Sequence, residues 1–151
     1  MKRILATAAT AATAVATVTA LGVMAVPAEA ASPVQIYRVY FDSPGSDNRS
    51  NKSLNGEWVQ LFNTTNTTKQ LKGVRLRDRT GYTYTFGWFQ LKGRKSVYVH
   101  TGRGSNTATH RYWGRKAYVW NNGGDTAFLL YPSGKRADSC SWTSKGSSKY
   151  C

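Results

Sequence analysis

Gly56-Glu57-Trp58-Val59-Gln60-Leu61-Phe62-Asn63 places Val59 and Leu61 on one side of an extended chain, with Trp58, Gln60 and Phe62 on the other. That period of two belongs to a β-strand with one buried face. The same pattern recurs downstream. In Val74-Arg75-Leu76-Arg77-Asp78-Arg79 the apolar residues point one way and the arginines the other. In Ser96-Val97-Tyr98-Val99-His100, Val97 and Val99 face a core, while Tyr98 and His100 share the opposite face. Val119, Phe128 and Leu130 are expected to join that core. Trp58, Trp113, Trp120 and Trp142 read equally well as core edges or as exposed platforms.

Eight segments carry this reading: residues 34–41, 57–63, 70–77, 82–86, 96–101, 117–120, 126–131 and 136–142. Gly, Asn, Asp and Ser clusters separate them. Asn121-Asn122-Gly123-Gly124-Asp125 and Pro132-Ser133-Gly134 are turn sequences, because Asn and Gly tolerate positive φ. Residues 43–56 read as one long polar loop. No helical periodicity follows Ala31. The expected architecture is one antiparallel all-β domain of two sheets packed face to face.

Composition narrows the class. The chain has 151 residues, 21 Lys+Arg against 7 Asp+Glu, and a formal net charge of +14. Five Trp, nine Tyr and five Phe can fill a core, which excludes disorder. No heptad pattern supports a coiled coil, and two Cys are too few for a disulfide-dense miniprotein. The charge disfavours an ordinary neutral cytosolic enzyme.

Lys2 and Arg3 precede an uncharged run over residues 4–26, then Pro27 and Ala28-Glu29-Ala30. This is the layout of a secretory signal peptide cleaved after Ala30. The rival is a membrane anchor, which the Thr content of the run argues against. Residues 31–151 are then a secreted, extracellular domain with a net charge of +13, since the leader carries Lys2, Arg3 and Glu29. No second apolar stretch would hold it in a membrane. In an oxidising compartment Cys140 and Cys151 are expected to form one disulfide, pinning the tail to the last strand. Four N-x-Ser/Thr sequons begin at Asn48, Asn51, Asn63 and Asn66, and matter only in a glycosylating host.

Several ordered motifs resemble the lamin tail domain family. They are Gly56–Asn63 as quoted, Leu71-Lys72-Gly73-Val74-Arg75-Leu76-Arg77-Asp78, Tyr84-Thr85-Phe86, Val97-Tyr98-Val99-His100-Thr101-Gly102-Arg103-Gly104, Tyr112-Trp113-Gly114 and Trp120-Asn121-Asn122-Gly123-Gly124-Asp125-Thr126-Ala127. The series spans residues 34–142. The resemblance implies an immunoglobulin-like antiparallel β-sandwich. It further implies a binding or interaction module, found in exported bacterial proteins and, in nuclear lamins, in contact with DNA, chromatin and proteins. The filament role does not carry over, because this sequence shows neither rod nor prenylation box. Val74 stands where an aromatic residue is common in the family. The family offers no catalytic residues to transfer.

The net charge points to polyanion binding without sequence specificity: nucleic acid, anionic polysaccharide or a teichoic-type envelope polymer. Arg75, Arg77 and Arg79 would project from one strand roughly 6.6–7 Å apart, near phosphate spacing. Arg94, Lys95, Arg103, Arg111, Arg115 and Lys116 add charge in nearby turns. Tyr82, Tyr84, Tyr98 and Tyr112 are stacking candidates. The plainer reading is that these residues only solvate an exported domain. With no recognition helix expected, base-specific readout has no support. A protein–protein module of the cell surface is the alternative.

Catalysis is the weaker reading, and none is expected. His100 and His110 are ten residues apart, not a ligand pair on one element, and the nucleophile-elbow, phosphate-loop and zinc-helix motifs are absent. A hydrolase would use His100. Asn121, Asn122 and Asp125 offer oxygens for calcium, but one carboxylate is too few, and a turn cap by Asp125 is the simpler role. Asp78 fits a similar cap or an arginine partner. Glu57 is expected to hold a structural hydrogen bond or ion pair with an unidentified partner. No metal or cofactor is expected.

Overall fold

A computed structural model describes residues 30–143 and 145–151. The signal-peptide expectation lies almost wholly outside them. Among the described residues the order is β1 (Val34–Tyr40), α1 (Asn51–Gly56), β2 (Trp58–Asn63), β3 (Lys69–Gln70), β4 (Arg75–Arg77), β5 (Thr83–Thr85), β6 (Gln90–Leu91), β7 (Ser96–His100), β8 (His110–Tyr112), β9 (Gly124–Leu130), β10 (Arg136–Thr143) and β11 (Ser148–Tyr150). One sheet runs β11-β1-β2-β7-β8, a second β10-β9-β4-β5, and β3 pairs with β6. The two larger sheets form the β-sandwich read from the sequence. All pairs are antiparallel except β7 with β8.

Strand alternation fills the space between the sheets. Val34, Ile36, Val39, Val59, Leu61, Val97 and Val99 come from the first sheet, and Leu76, Ala127 and Leu129 from the second. Aromatic rings close one end. Phe41 stacks on Trp142 at 5.1 Å, and Trp120 meets Trp142 and Trp113 edge-on at 6.0 Å. Trp120 and Trp142 are therefore core, Trp113 is partly buried, and Trp58 lies outside on the first sheet.

Four expectations need correction. Residues 70–77 are not one strand: the chain turns at Gly73 (φ +80°), splitting them into β3 and β4. Residues 117–120 form no strand, because the Val119 and Trp120 amides donate to the Glu57 carboxylate instead of a neighbouring strand. Phe128 and Leu130 face outward, half-buried, while Asp125, Ala127 and Leu129 take the inward positions of β9. The 43–56 loop contains α1, which is too short to show a period; Ser50 caps it by accepting from the Ser53 amide at 3.2 Å.

Cys140 and Cys151 are bonded, with Cα atoms 5.7 Å apart. Cys140 lies in β10, and Cys151 follows β11, so the bridge ties one sheet to the other. The Cys151 amide also donates to the Tyr37 carbonyl at 2.9 Å. Cys151→Ser is expected to lower unfolding free energy by about 2–3 kcal/mol, from the loop-closure entropy returned to the unfolded chain. Urea denaturation of the non-reduced variant checks this.

Candidate functional site

The acids are mostly inside. Of the six Asp and Glu in residues 31–151, Glu57, Asp78 and Asp125 are buried. Asp78 caps the β4–β5 turn by accepting from the Gly81 and Tyr82 amides at 2.7 Å and the Thr80 hydroxyl at 2.5 Å. Asp125 accepts from the amides of Thr126 (2.7 Å), Asn121 (3.3 Å) and Arg79 (3.3 Å), and from the Asn121 side chain (3.2 Å). Its oxygens serve the turn, so of the calcium candidates considered from sequence Asp125 is held by N–H donors, while the Asn121 side chain donates to Asp125 and Asn122 donates to Asp42 at 2.9 Å. Among the described residues there is one ion pair, Arg79 Nε to Asp125 Oδ1 at 3.9 Å. Most cationic side chains thus lack a carboxylate neighbour.

Glu57, the residue at the C-terminal cap of α1, is wholly buried. It accepts from the Thr101 hydroxyl (2.6 Å), the Val119 amide (3.1 Å) and the Trp120 amide (2.9 Å). Burial pushes its pKa up to about 7, against the pull of those three bonds, with nearby Asp47 adding to the rise. The folded state therefore holds a proton that the unfolded chain releases near 4.5. The stabilisation is full below pH 4.5 and is lost as pH rises through 7, amounting to about 3 kcal/mol. Unfolding free energy measured from pH 4.5 to 7.5 should show this decline, and Glu57→Gln should remove it.

The outer face of the four-stranded sheet carries the arginine row. β4 presents Arg75 and Arg77, which lie opposite Leu130 and Phe128 of β9; on the far side of β9, Arg136 of β10 lies opposite Leu130. Arg77, Phe128, Leu130 and Arg136 line a shallow trough of about 350 Å³. Its floor is apolar and its sides are cationic. Arg77 is exposed and has no hydrogen-bond, carboxylate or ring partner among the described residues. Arg75 is half-buried beside the β9–β10 turn, with Nη2 at 3.5 Å from the Pro132 carbonyl and Nε buried without a partner. Arg79 is tied to that sheet's other end, donating to the Gly124 carbonyl at 2.8 Å.

The other candidates lie elsewhere. Arg94 and Lys95 are exposed in the β6–β7 turn, and Arg94 donates to Asn66 at 3.0 Å. Arg103 is exposed, with its backbone bound to Asn51 and Asn55. Arg111 turns inward over the Phe89 ring at 4.0 Å, and Arg115 covers Tyr82 at 4.1 Å. Lys116 is exposed. Tyr84 points into the sandwich opposite Leu76, edge-on to Phe86 at 5.0 Å, and burial raises its phenol pKa. Tyr98 and Tyr112 lie on the outer face of the five-stranded sheet, across the sandwich from Arg75 and Arg77. The arginine row and these tyrosines do not form one site.

That opposite face is an aromatic surface that sequence reasoning missed. Tyr150, Tyr37 and Phe62 are in contact at 5.8–6.0 Å, and Arg38 lies 4.4 Å over Tyr150 and within 5.7 Å of Tyr40 and Trp58. Trp58 stacks on Tyr40 and meets Tyr98 edge-on. Beyond them Tyr98, His110, His100 and Tyr112 stack successively at 5.1–5.4 Å. His100 Nδ1 lies 2.8 Å from the Asn55 carbonyl, which only accepts, so Nδ1 carries the proton. Nε2 of the neutral ring then accepts from His110 Nδ1 at 2.9 Å. Burial lowers the His100 pKa; the Asn55 carbonyl opposes this and His110 adds to it. Both His100 nitrogens are thus engaged within the protein, a poor arrangement for a general base. The signal available in sequence was the outward parity of Trp58, Tyr98 and His100; the order of strands that joins them was not.

Two face-to-face sheets, an inter-sheet staple and an exterior rich in cations define a small immunoglobulin-like sandwich of the binding-module type. The chain matches the Lamin Tail Domain family model over residues 27–144 and belongs to that family. The match brackets the span over which the sequence motifs run. The family's domains are immunoglobulin-like and non-enzymatic. No curated protein matches the chain.

Proposed function

We propose that this protein binds polyanions, without sequence preference, through the outer face of its four-stranded sheet. The observation that carries the reading is the uncompensated charge: 19 Lys and Arg in residues 31–151 against six acids, three of them buried, with one ion pair among the described residues. Such a surface attracts nucleic acid or an anionic envelope polymer through counterion release. The reading places the domain outside the cell, supported by the leader-like residues 1–30 and the Cys140–Cys151 bridge.

Retention on immobilised heparin and on DNA across a salt series tests it. Elution above about 0.1 M salt on both supports the reading, whereas flow-through at lower salt contradicts it. A second reading, docking of another protein on the aromatic face, is favoured by the exposure of Tyr37 (48%) and Tyr150 (59%).

A further inference from the structure

Half of the ten arginines in residues 31–151 are already engaged. Arg38, Arg111 and Arg115 sit over aromatic rings, and Arg79 and Arg94 donate to oxygens of the protein. The trough on the four-stranded sheet differs. The side chains of Arg77 and Arg136, which line it, have no hydrogen-bond, carboxylate or ring partner among the described residues, and Arg75 beside them holds only a 3.5 Å contact from Nη2 to the Pro132 carbonyl. Phe128 is the floor, and no ring or cation stacks on it among the described residues. Half-buried Leu130 extends the floor along the same strand.

Neighbouring strands lie roughly 4.8 Å apart, so β4 and β10 set cations about 10 Å apart across the Phe128–Leu130 strip. Along β4, Arg75 and Arg77 are spaced about 6.6–7 Å. A ligand that satisfies the whole trough has anionic groups repeating at that spacing and flat apolar groups beside them. A linear polyphosphate supplies the first feature only. A duplex hides its bases within the stack.

We propose that this trough takes single-stranded nucleic acid, with a base over Phe128 and Leu130 and phosphates on Arg75, Arg77 and Arg136. The inference rests on the polyanion reading and names the ligand class of that same face. Base–aromatic stacking on a cationic groove tolerates any sequence, because every base has a flat face.

The test is fluorescence anisotropy of the full chain with a labelled single-stranded 12-mer, an abasic 12-mer of equal charge, a 12-bp duplex, heparin and polyphosphate. The single strand should bind roughly 5–100-fold tighter than the abasic strand. Phe128→Ala should remove most of that difference by weakening binding of the intact strand far more than that of the abasic strand. Phe128→Leu, which keeps apolar volume and protects the fold, should remove it too; a matched melting temperature for each variant excludes unfolding. Equal affinity for single-stranded and abasic DNA, or tighter binding of duplex, heparin or polyphosphate, overturns the inference while the polyanion reading stands. Failure to bind any of the five overturns both.

Discussion

Glu57→Ala is expected to lower the unfolding free energy by about 3–5 kcal/mol, the largest single-residue effect argued for this domain. The carboxylate does the work of a missing strand. Residues 117–120 cross the end of the sandwich without a neighbouring strand to receive their amides, and Glu57 accepts two of them, together with the Thr101 hydroxyl. Alanine orphans these buried donors, each costing roughly 1–3 kcal/mol when unsatisfied. Trp120, wholly within the core, is positioned by one of those bonds. Urea denaturation followed by tryptophan fluorescence measures the loss. Glu57→Gln, which keeps shape and one acceptor oxygen, should lose less than half as much. Loss below about 1 kcal/mol for Glu57→Ala would show that water replaces the carboxylate and that the 117–120 segment holds itself.

Joint replacement of Arg75, Arg77 and Arg136 by Gln is expected to weaken polyanion binding roughly 100-fold at low salt, uniformly across sequences. The slope of log K against log salt should flatten by about 2–3, near 0.7–0.9 per phosphate contact. Arg79 is left out of this set because its guanidinium hydrogen-bonds to the Gly124 carbonyl beside the Asp125 carboxylate, so its loss would disturb the β9 turn. Replacement of the three exposed cations Arg94, Lys95 and Lys116 serves as a control of equal charge. An equal loss in the control would mean that net charge alone, not the trough, sets the affinity.

Much of the sandwich was legible because its strands alternate cleanly. Val59, Leu61, Val97, Val99 and Leu76 are core residues, as period two requires. The reading failed in β9, where both parities are apolar: Ala127 and Leu129 on one, Phe128 and Leu130 on the other. Alternation cannot choose there, and Asp125, bound inward to its turn, decides the register. That reversal is what places an apolar strip between the arginines. The Cys140–Cys151 bridge was legible from the cysteine count and the export expected from residues 1–30. The partners of Glu57 were not, since the Val119 and Trp120 amides are 62 and 63 residues away. β8 and β11, three residues each, are too short for any periodic signal. Without β8 the parallel β7–β8 pair and the Tyr98–His110–His100–Tyr112 stack could not be assembled from sequence. The arginine row was visible; that Tyr98 and Tyr112 lie across the sandwich from it follows only from strand order.

The most direct test of the account is a nuclear magnetic resonance titration of the protein with a single-stranded oligonucleotide, following backbone amides and arginine Nε–H groups. The account predicts that perturbations gather at Arg75, Arg77, Phe128, Leu130 and Arg136 and weaken with added salt. Perturbations gathered instead around Tyr37, Trp58, Tyr98 and Tyr150, or spread evenly over the surface cations, would contradict it.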